Sequence, residues 1–287
     1  MAGTATTVSS LGTNWVSTVY ADAVTVFRAN NVMSNLVTVF TDRQGDEARS
    51  LPGYNQITAG SIAEATDITS ESEFTKTNIS TLYVNEAYSF AFLTDRRRET
   101  DTQNALADVS IELGASLADK VESDLLGTFS SFTGGTINTG GGTAMTWGHL
   151  LAARTALKAT KVPGPYIAVI HENAWHQLAK AVSPANATVS NTPESLREAV
   201  KSNWYVGTFG DLSIFTTANL TAGTLVTQGV FSPSAVALDW RRAPRLEKQR
   251  DASRRGDELV LTTKYASGVW RPKAGCQLKS DTQLPTS

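Results

Sequence analysis

The sequence predicts an α+β fold built on one long helix and two projecting β-hairpins, and three stretches carry that expectation. Leu106, Val109, Leu113, Leu117, Val121 and Leu125 recur at i, i+3/i+4 spacing, the pattern of a helix with one apolar stripe. Phe74 to Val84 alternates and is rich in Thr, whose branched Cβ suits a pleated, half-exposed strand. Leu246 to Arg250 and Leu259 to Tyr265 flank the charged turn from Asp251 to Asp257, which reads as a second hairpin with a charged tip.

Composition bounds what such a chain can do. At 287 residues it can bury a sizeable core, as one large domain or two small ones. Hydrophobic residues at 41% and charged residues at 18% indicate folding and not disorder. The net charge of −2 shows no global basic excess of the kind that grips nucleic acid. A single cysteine, Cys276, excludes an intramolecular disulfide framework and any CxxC motif. No Lys or Arg precedes Arg28 and no apolar run approaches the length of a bilayer span, so the expectation is a soluble chain made inside the cell, without a membrane partner.

Taken in order, Trp15, Val16, Val19, Tyr20, Ala23, Val26 and Phe27 predict a short amphipathic helix, docked on its own domain or on a neighbour. Val37 to Val84 changes to strands and turns. Few large apolar residues lie between Thr41 and Glu73, so a long hairpin projecting from the body is expected. Tyr88, Phe90 and Phe92 share one strand face, expected to rejoin the core. Thr100 to Gln103 fits a capping box ahead of the long helix, expected over about 101–127, with Asp108, Glu112, Asp119 and Glu122 as its solvated face. Trp147 to Thr160 predicts a second helix, Tyr166 to Ile170 a buried strand, and Trp175 to Val182 a third helix. The small, polar run Pro184 to Thr192 marks a crossing into a second subdomain, where Thr192-Pro-Glu starts a helix. Short strands follow at Trp204–Val206, Leu212–Phe215, Leu225–Val230 and Ala235–Leu238.

Catalytic signals are missing. His171 and His176 are five apart and do not share a helix face as HExxH ligands would, and His149 stands alone. The glycines from Gly134 to Gly142 lack both the Gly-Lys-Ser/Thr ending of a phosphate-binding loop and GxGxxG spacing. There is no GxSxG elbow and no SxxK pair, and acids such as Glu71 and Glu73 have no apolar pocket to raise a pKa. No catalytic residue, metal or cofactor is expected. A soluble hydrolase with an unrecognised site is the competitor from another class.

The order of the elements supplies the positive signal. Ala63 to Thr69 followed by Phe74 to Asn78, Tyr166 to Ile170 running into Asn173-Ala-Trp175, and Phe231 to Cys276 with Leu246 to Asp251 and Val269-Trp-Arg-Pro272 stand in sequence along the chain. In that arrangement the chain resembles the major capsid proteins of tailed bacteriophages, with the Hong Kong 97-like fold. The resemblance implies an N-terminal arm (1–40), an extended loop hairpin (41–85), a peripheral domain with the spine helix (86–183), an axial subdomain (184–240), and a return to the peripheral domain carrying the charged hairpin (241–287), with the C-terminus either staying there or going back into the axial subdomain.

It also implies function. Copies would assemble as pentamers and hexamers into an icosahedral shell around a double-stranded DNA genome, in the host cytoplasm. A portal protein, a separate scaffolding protein and a decoration protein are implied partners, and packaged DNA would be touched non-specifically. The short arm argues against a fused scaffolding segment. Inter-subunit contacts are expected at Trp15, Arg49, Tyr54, Arg96, Arg97, Arg250, Asp251, Arg254, Arg255 and Asp257, with Arg254 and Arg255 meeting acids of other copies at a three-fold junction. An encapsulin-like compartment shares the fold and is the nearest alternative.

Overall fold

The apolar stripe of the long helix needs a partner surface, and a four-stranded sheet drawn from both ends of the chain provides it. The computed structural model describes residues 21, 23, 33–42, 47–54, 57, 59–68, 73–100, 105–182 and 205–284. Strands β1 (Thr38–Phe40), β2 (Ala48–Tyr54), β3 (Lys76–Tyr83) and β4 (Asn85–Thr94) come first. A short helix α1 (Asp95–Thr100) and the long helix α2 (Ala105–Gly127) follow. Next are β5 (Thr136–Asn138), α3 (Trp147–Ala159), β6 (Tyr166–His171) and α4 (Glu172–Val182). The last part contributes β7 (Tyr205–Phe209), β8 (Leu212–Thr217), β9 (Val226–Phe231), β10 (Val236–Asp251), β11 (Gly256–Val269) and β12 (Gly275–Ser280). The α+β expectation holds.

Helix α2, about 34 Å long at 1.5 Å per residue, buries Leu113, Leu117, Ala118, Val121, Leu125 and Leu126. These side chains join Leu238, Leu259, Leu261 and Tyr265 of β10 and β11 in the principal core. The capping box at 100–103 extends into residues outside those described. Glu122, expected in solvent, is 2% exposed and accepts a hydrogen bond from the Thr217 hydroxyl at 2.8 Å. The end of β8 overlies the helix there, so the solvated face is narrower than charge alone implies.

The four-stranded sheet has the order β1-β10-β11-β4, with β1 parallel to β10 and the other pairs antiparallel. Its edge strand β4 corrects one expectation. Tyr88 is 73% exposed and Phe90 49%, while Ala87 and Leu93 are buried. Ala87 and Ala91 pack in the core, and the Ser89 and Ser116 hydroxyls meet at 2.6 Å. Small residues on the inner face let α2 approach closely, so the aromatic residues of β4 face outward.

The six-stranded sheet has the order β5-β12-β9-β6-β8-β7 and packs against α3 and α4 around a second core. All six residues of β6 are buried, as suits a strand covered on both faces. This sheet draws strands from both sides of residue 184, the division that the resemblance implies. β6, before that point, pairs with β8 in parallel over six positions and with β9 on its other side. The division therefore cuts through one sheet, because a parallel pair needs a crossover and not a domain boundary. The crossing segment and the helix starting at Thr192 lie outside the described residues.

β2 and β3 form a separate two-stranded hairpin, registered from Ala48↔Tyr83 to Tyr54↔Lys76. Its base is anchored: Leu51 and Leu82 are buried with Ala237 and Ala266 of the four-stranded sheet. Beyond that base Tyr54, Ile57, Ile62, Ile68, Phe74 and Ile79 are exposed. Of the N-terminal helix only Ala21 and Ala23 are described, and Ala23 is fully buried. Its backbone lies so close to Gly114 of α2 that a Cβ there would overlap the Ala23 carbonyl.

Candidate assembly interfaces

The charged hairpin is the more elaborate of two polar constructions. β10 and β11 pair down to Asp251↔Gly256, and the turn between them is tied by its own side chains. Asp251 Oδ1 accepts from the Ser253 amide at 3.0 Å, the Ser253 hydroxyl at 2.7 Å and the Arg254 amide at 3.2 Å. Those bonds, the Ser253 hydroxyl first, hold its carboxyl below the ordinary carboxylate value. Arg255 has φ of 50° and its carbonyl accepts from the Asp95 amide at 2.9 Å.

Asp95 joins this tip to α1. The Arg250 guanidinium grips it through two bonds of 2.7 and 2.6 Å, the planar fork-on-carboxylate geometry that arginine favours. That grip is the main reason the Asp95 carboxyl titrates low. Asp257 is 4% exposed and lies within 3.3 Å of Arg98, 3.2 Å of Lys248 and 3.7 Å of Arg250. Arg254 is 3.3 Å from Glu258, and its guanidinium sits 4.0 Å above the Phe92 ring.

The expected contact residues therefore fall into three groups. Asp257 and Arg250 are engaged inside their own chain. Arg254 and Arg255 are exposed at the tip, and the Arg255 side chain has no ion pair among the described residues. Arg96 and Arg97 are exposed on α1 beside them. Asp95, Lys248, Arg98 and Phe92 complete the cluster. The sequence singles out the Arg96–Arg98 run as a contact for DNA or for a neighbour's acids, but not Asp95, Lys248 and Phe92 as its partners in this cluster.

The second construction lies at the base of the β2–β3 hairpin and corrects the expectation for Arg49. That residue is 8% exposed and points into its own chain. Its Nε donates to Asp239 at 2.8 Å, its Nη2 pairs with Asp42, and the guanidinium lies 4.4 Å over the Phe40 ring. Burial alone would depress this guanidinium, yet the bonds to Asp42 and Asp239 hold it above its ordinary value. Asp239 is fully buried and also has Arg241 Nη2 at 2.7 Å. One buried carboxylate thus faces two arginines, and Arg241 Nε and Nη1 and Arg242 Nε remain without a hydrogen-bond partner. An unmet buried donor costs on the order of 1–3 kcal/mol, more when charged. These groups border a cavity of about 350 Å³ lined by Thr41, Trp240, Arg241, Arg242, Ala243 and Pro244.

Tyr54 is 58% exposed and stacks on Phe74 with centroids 5.1 Å apart. Trp15 lies outside the described residues. Among the described residues no cluster of His, Cys, Asp and Glu could hold a metal ion, and no helix is long and apolar enough to cross a membrane.

The family model for phage capsid proteins matches residues 86–278, which take in β4, both long helix-bearing layers and the charged hairpin. The chain belongs to the phage capsid protein family. This capsid protein also has the fold of solved capsids. It is similar to a chain of Mycobacterium phage Che8 at 18% identity, with a TM-score of 0.69 over 86% of this chain and 90% of that one. A capsid chain of Cyanophage P-SCSP1u is 16% identical, with a TM-score of 0.64 over 88% of this chain and 89% of that one. A virus-like particle from Pyrococcus furiosus gives 13% identity and a TM-score of 0.62, over 91% of this chain and 98% of that one. No curated protein sequence matches. The capsid protein is a structural subunit with the Hong Kong 97-like fold, and it self-associates into a shell.

Proposed function

We propose that this capsid protein tiles an icosahedral shell around the double-stranded DNA genome of a tailed bacteriophage and performs no catalysis. The family match across residues 86–278 carries the reading. It spans the spine helix and the strands of both sheets, so it concerns the shell-building body and not an accessory segment. In this reading the unit around the six-stranded sheet meets its copies at the centres of pentamers and hexamers. The unit around α2 and the four-stranded sheet forms the periphery, and the arm (1–40) and loop (41–85) reach to neighbours.

Two features of the chain support projecting contacts. The β2–β3 hairpin keeps large apolar side chains in solvent, which a monomer has no reason to do. The charged tip holds its backbone rigid through Asp251 and Asp95 while leaving Arg254 and Arg255 outside. We assign that tip to the three-fold junction, where acids of other copies would answer the arginines. A portal protein, a separate scaffolding protein and a decoration protein complete the set of partners, with assembly in the host cytoplasm and non-specific contact to packaged DNA.

Sedimentation and electron microscopy of the purified protein test the reading. Closed megadalton particles are expected, containing double-stranded DNA when recovered from virions. Particles filled with a cargo enzyme would favour a cellular compartment, and a monomer that never assembles would overturn the shell.

A further inference from the structure

The sequence has three histidines, and two of them hold the starts of the two helices that cover the six-stranded sheet. At α3 the Thr146 amide donates to His149 Nδ1 at 3.1 Å, and the Thr146 hydroxyl lies 3.0 Å from the same nitrogen. This is a capping box with an imidazole where a Glu or Gln side chain ordinarily stands. At α4 the Asn173 amide donates to His171 Nδ1 at 2.9 Å. The other ring nitrogen of His171 bonds the Leu220 carbonyl, so the proton of the neutral ring sits on Nε2. His171 is buried, its amide donates to Gln228 Oε1 at 3.0 Å, and Gln228 Nε2 donates to the buried Ser280 hydroxyl at 2.7 Å. The Met145 amide donates to Gln177 of α4 at 2.8 Å, which ties the two helix starts together.

An imidazole accepts at Nδ1 only while that nitrogen carries no proton, and histidine is the side chain that changes charge between about pH 5 and 8. A proton there removes the cap and sets a positive charge at the positive end of the helix dipole. Burial pushes the His171 imidazole below its ordinary value, with Glu172 opposing. The folded chain thus resists a proton that the unfolded chain takes up, so stability present above about pH 6.5 is lost as pH falls toward the lowered value. Few charges stand nearby. α3 packs on β5, β9 and β12, whose one charged residue, Lys279, alternates with the buried Leu278 and Ser280. α4 packs on β6 and β8, which carry no Asp, Glu, Lys or Arg. The helices themselves bring Glu172, His176 and Lys180 on α4, and Arg154 and Lys158 on α3, both paired with Asp211. Glu122 and Asp119 of α2 bond to Thr217 and Asn219, and the Asp281 amide bonds to the Thr143 carbonyl. The four-stranded sheet and α2 contain no histidine.

We propose that His149 and His171 are a pair of acid-sensitive helix caps: between about pH 7 and pH 5 protonation releases the starts of α3 and α4 and loosens the six-stranded unit, while the four-stranded sheet and the charged tip hold. The carboxylates of the tip, Asp95 and Asp251, lose their contacts only below about pH 4, so the two units respond in separate windows. In the shell reading above, on which this consequence rests, mild acid opens the centres of pentamers and hexamers and leaves the junctions between them closed.

Variants that keep the hydrogen bond and lose the titration test the caps. His149→Gln supplies the ordinary capping-box acceptor, and His171→Asn offers Oδ1 to the Asn173 amide. The melting temperature of the unmutated subunit is expected to fall by about 4 °C between pH 7 and pH 5. The double variant should lose that fall, while His176→Gln, at an exposed position, should keep it. Slopes are compared, so a lower baseline in a variant does not matter. Amide exchange of the unmutated chain needs no variant: corrected for intrinsic rate, protection at 147–152 and 172–177 should drop roughly fivefold at pH 5, with 113–126 unchanged. A double variant that falls as steeply as the unmutated chain, or equal protection of both helix starts at the two pH values, overturns the caps. In virions, a DNA-binding dye excluded at pH 7 should enter at pH 5, and entry that does not change with pH overturns the opening of the rings. Failure of the chain to form shells counts against the shell reading alone, since the subunit measurements stand without it.

Discussion

Gly114 shows how one missing atom shapes the molecule. In mid-helix a glycine costs about 1 kcal/mol relative to alanine, so replacing it would ordinarily stabilise α2. Here the Cβ would overlap the backbone of Ala23, which cannot swing aside as a side chain could. Overpacking of this kind costs roughly 1–3 kcal/mol, so Gly114→Ala is expected to lower the urea midpoint of the unassembled subunit and not to raise it. A second residue behaves as a silent probe. Cys276 is fully buried among Leu278, Val230 and their neighbours, and burial pushes its thiol up to about 11. Reaction with a thiol reagent is expected only after unfolding, while prompt labelling of native shells would contradict the burial. At this scale sequence reasoning recognised charges but not their partners. Arg49 read as a surface contact because its acid, Asp239, lies 190 positions away, and Arg250 finds Asp95 at a separation of 155.

Periodicity made the elements legible. The stripe from Val109 to Leu125, the two hairpins and the buried strand at Tyr166–His171 all form where the pattern of residues put them. A period of two, however, says which side chains share a face and not which face is inside. On β4 the larger residues, Tyr88 and Phe90, lost that contest because α2 requires small ones beneath it. The sheet order was not legible at all, since β6 gives no local sign that it lies between β8 and β9. At the charged tip two predictions follow from the geometry. Reversal of both Arg254 and Arg255 to Glu is expected to cut shell yield and leave the subunit folded, with the Arg255 change contributing more, because Arg254 is already occupied by Glu258 and Phe92. Asp95 and Asp251 titrate below their ordinary range, so their stabilisation is complete above about pH 4 and is lost as pH falls through the lowered values. The melting temperature of the subunit should therefore fall as pH drops below about 4, and Asp95→Asn should remove part of that fall. An Asp95→Asn profile matching that of the unmutated chain would contradict the Arg250 grip.

For the whole molecule, the four-stranded sheet fixes when the subunit can exist. Its outer strands, β1 and β4, are made early, and the two strands that separate them, β10 and β11, end only at Val269. A growing chain of 235 residues thus holds two edges with nothing between them, and Thr38 waits for Ala237. Contacts of such long sequence separation form slowly and late. Both hairpins take their footing from that sheet, so neither the charged tip nor the base of the loop has its final shape while the ribosome is still translating β11. The order of synthesis therefore delays the finished surface: until β10 and β11 are made, a nascent chain lacks the sheet from which both hairpins take their footing.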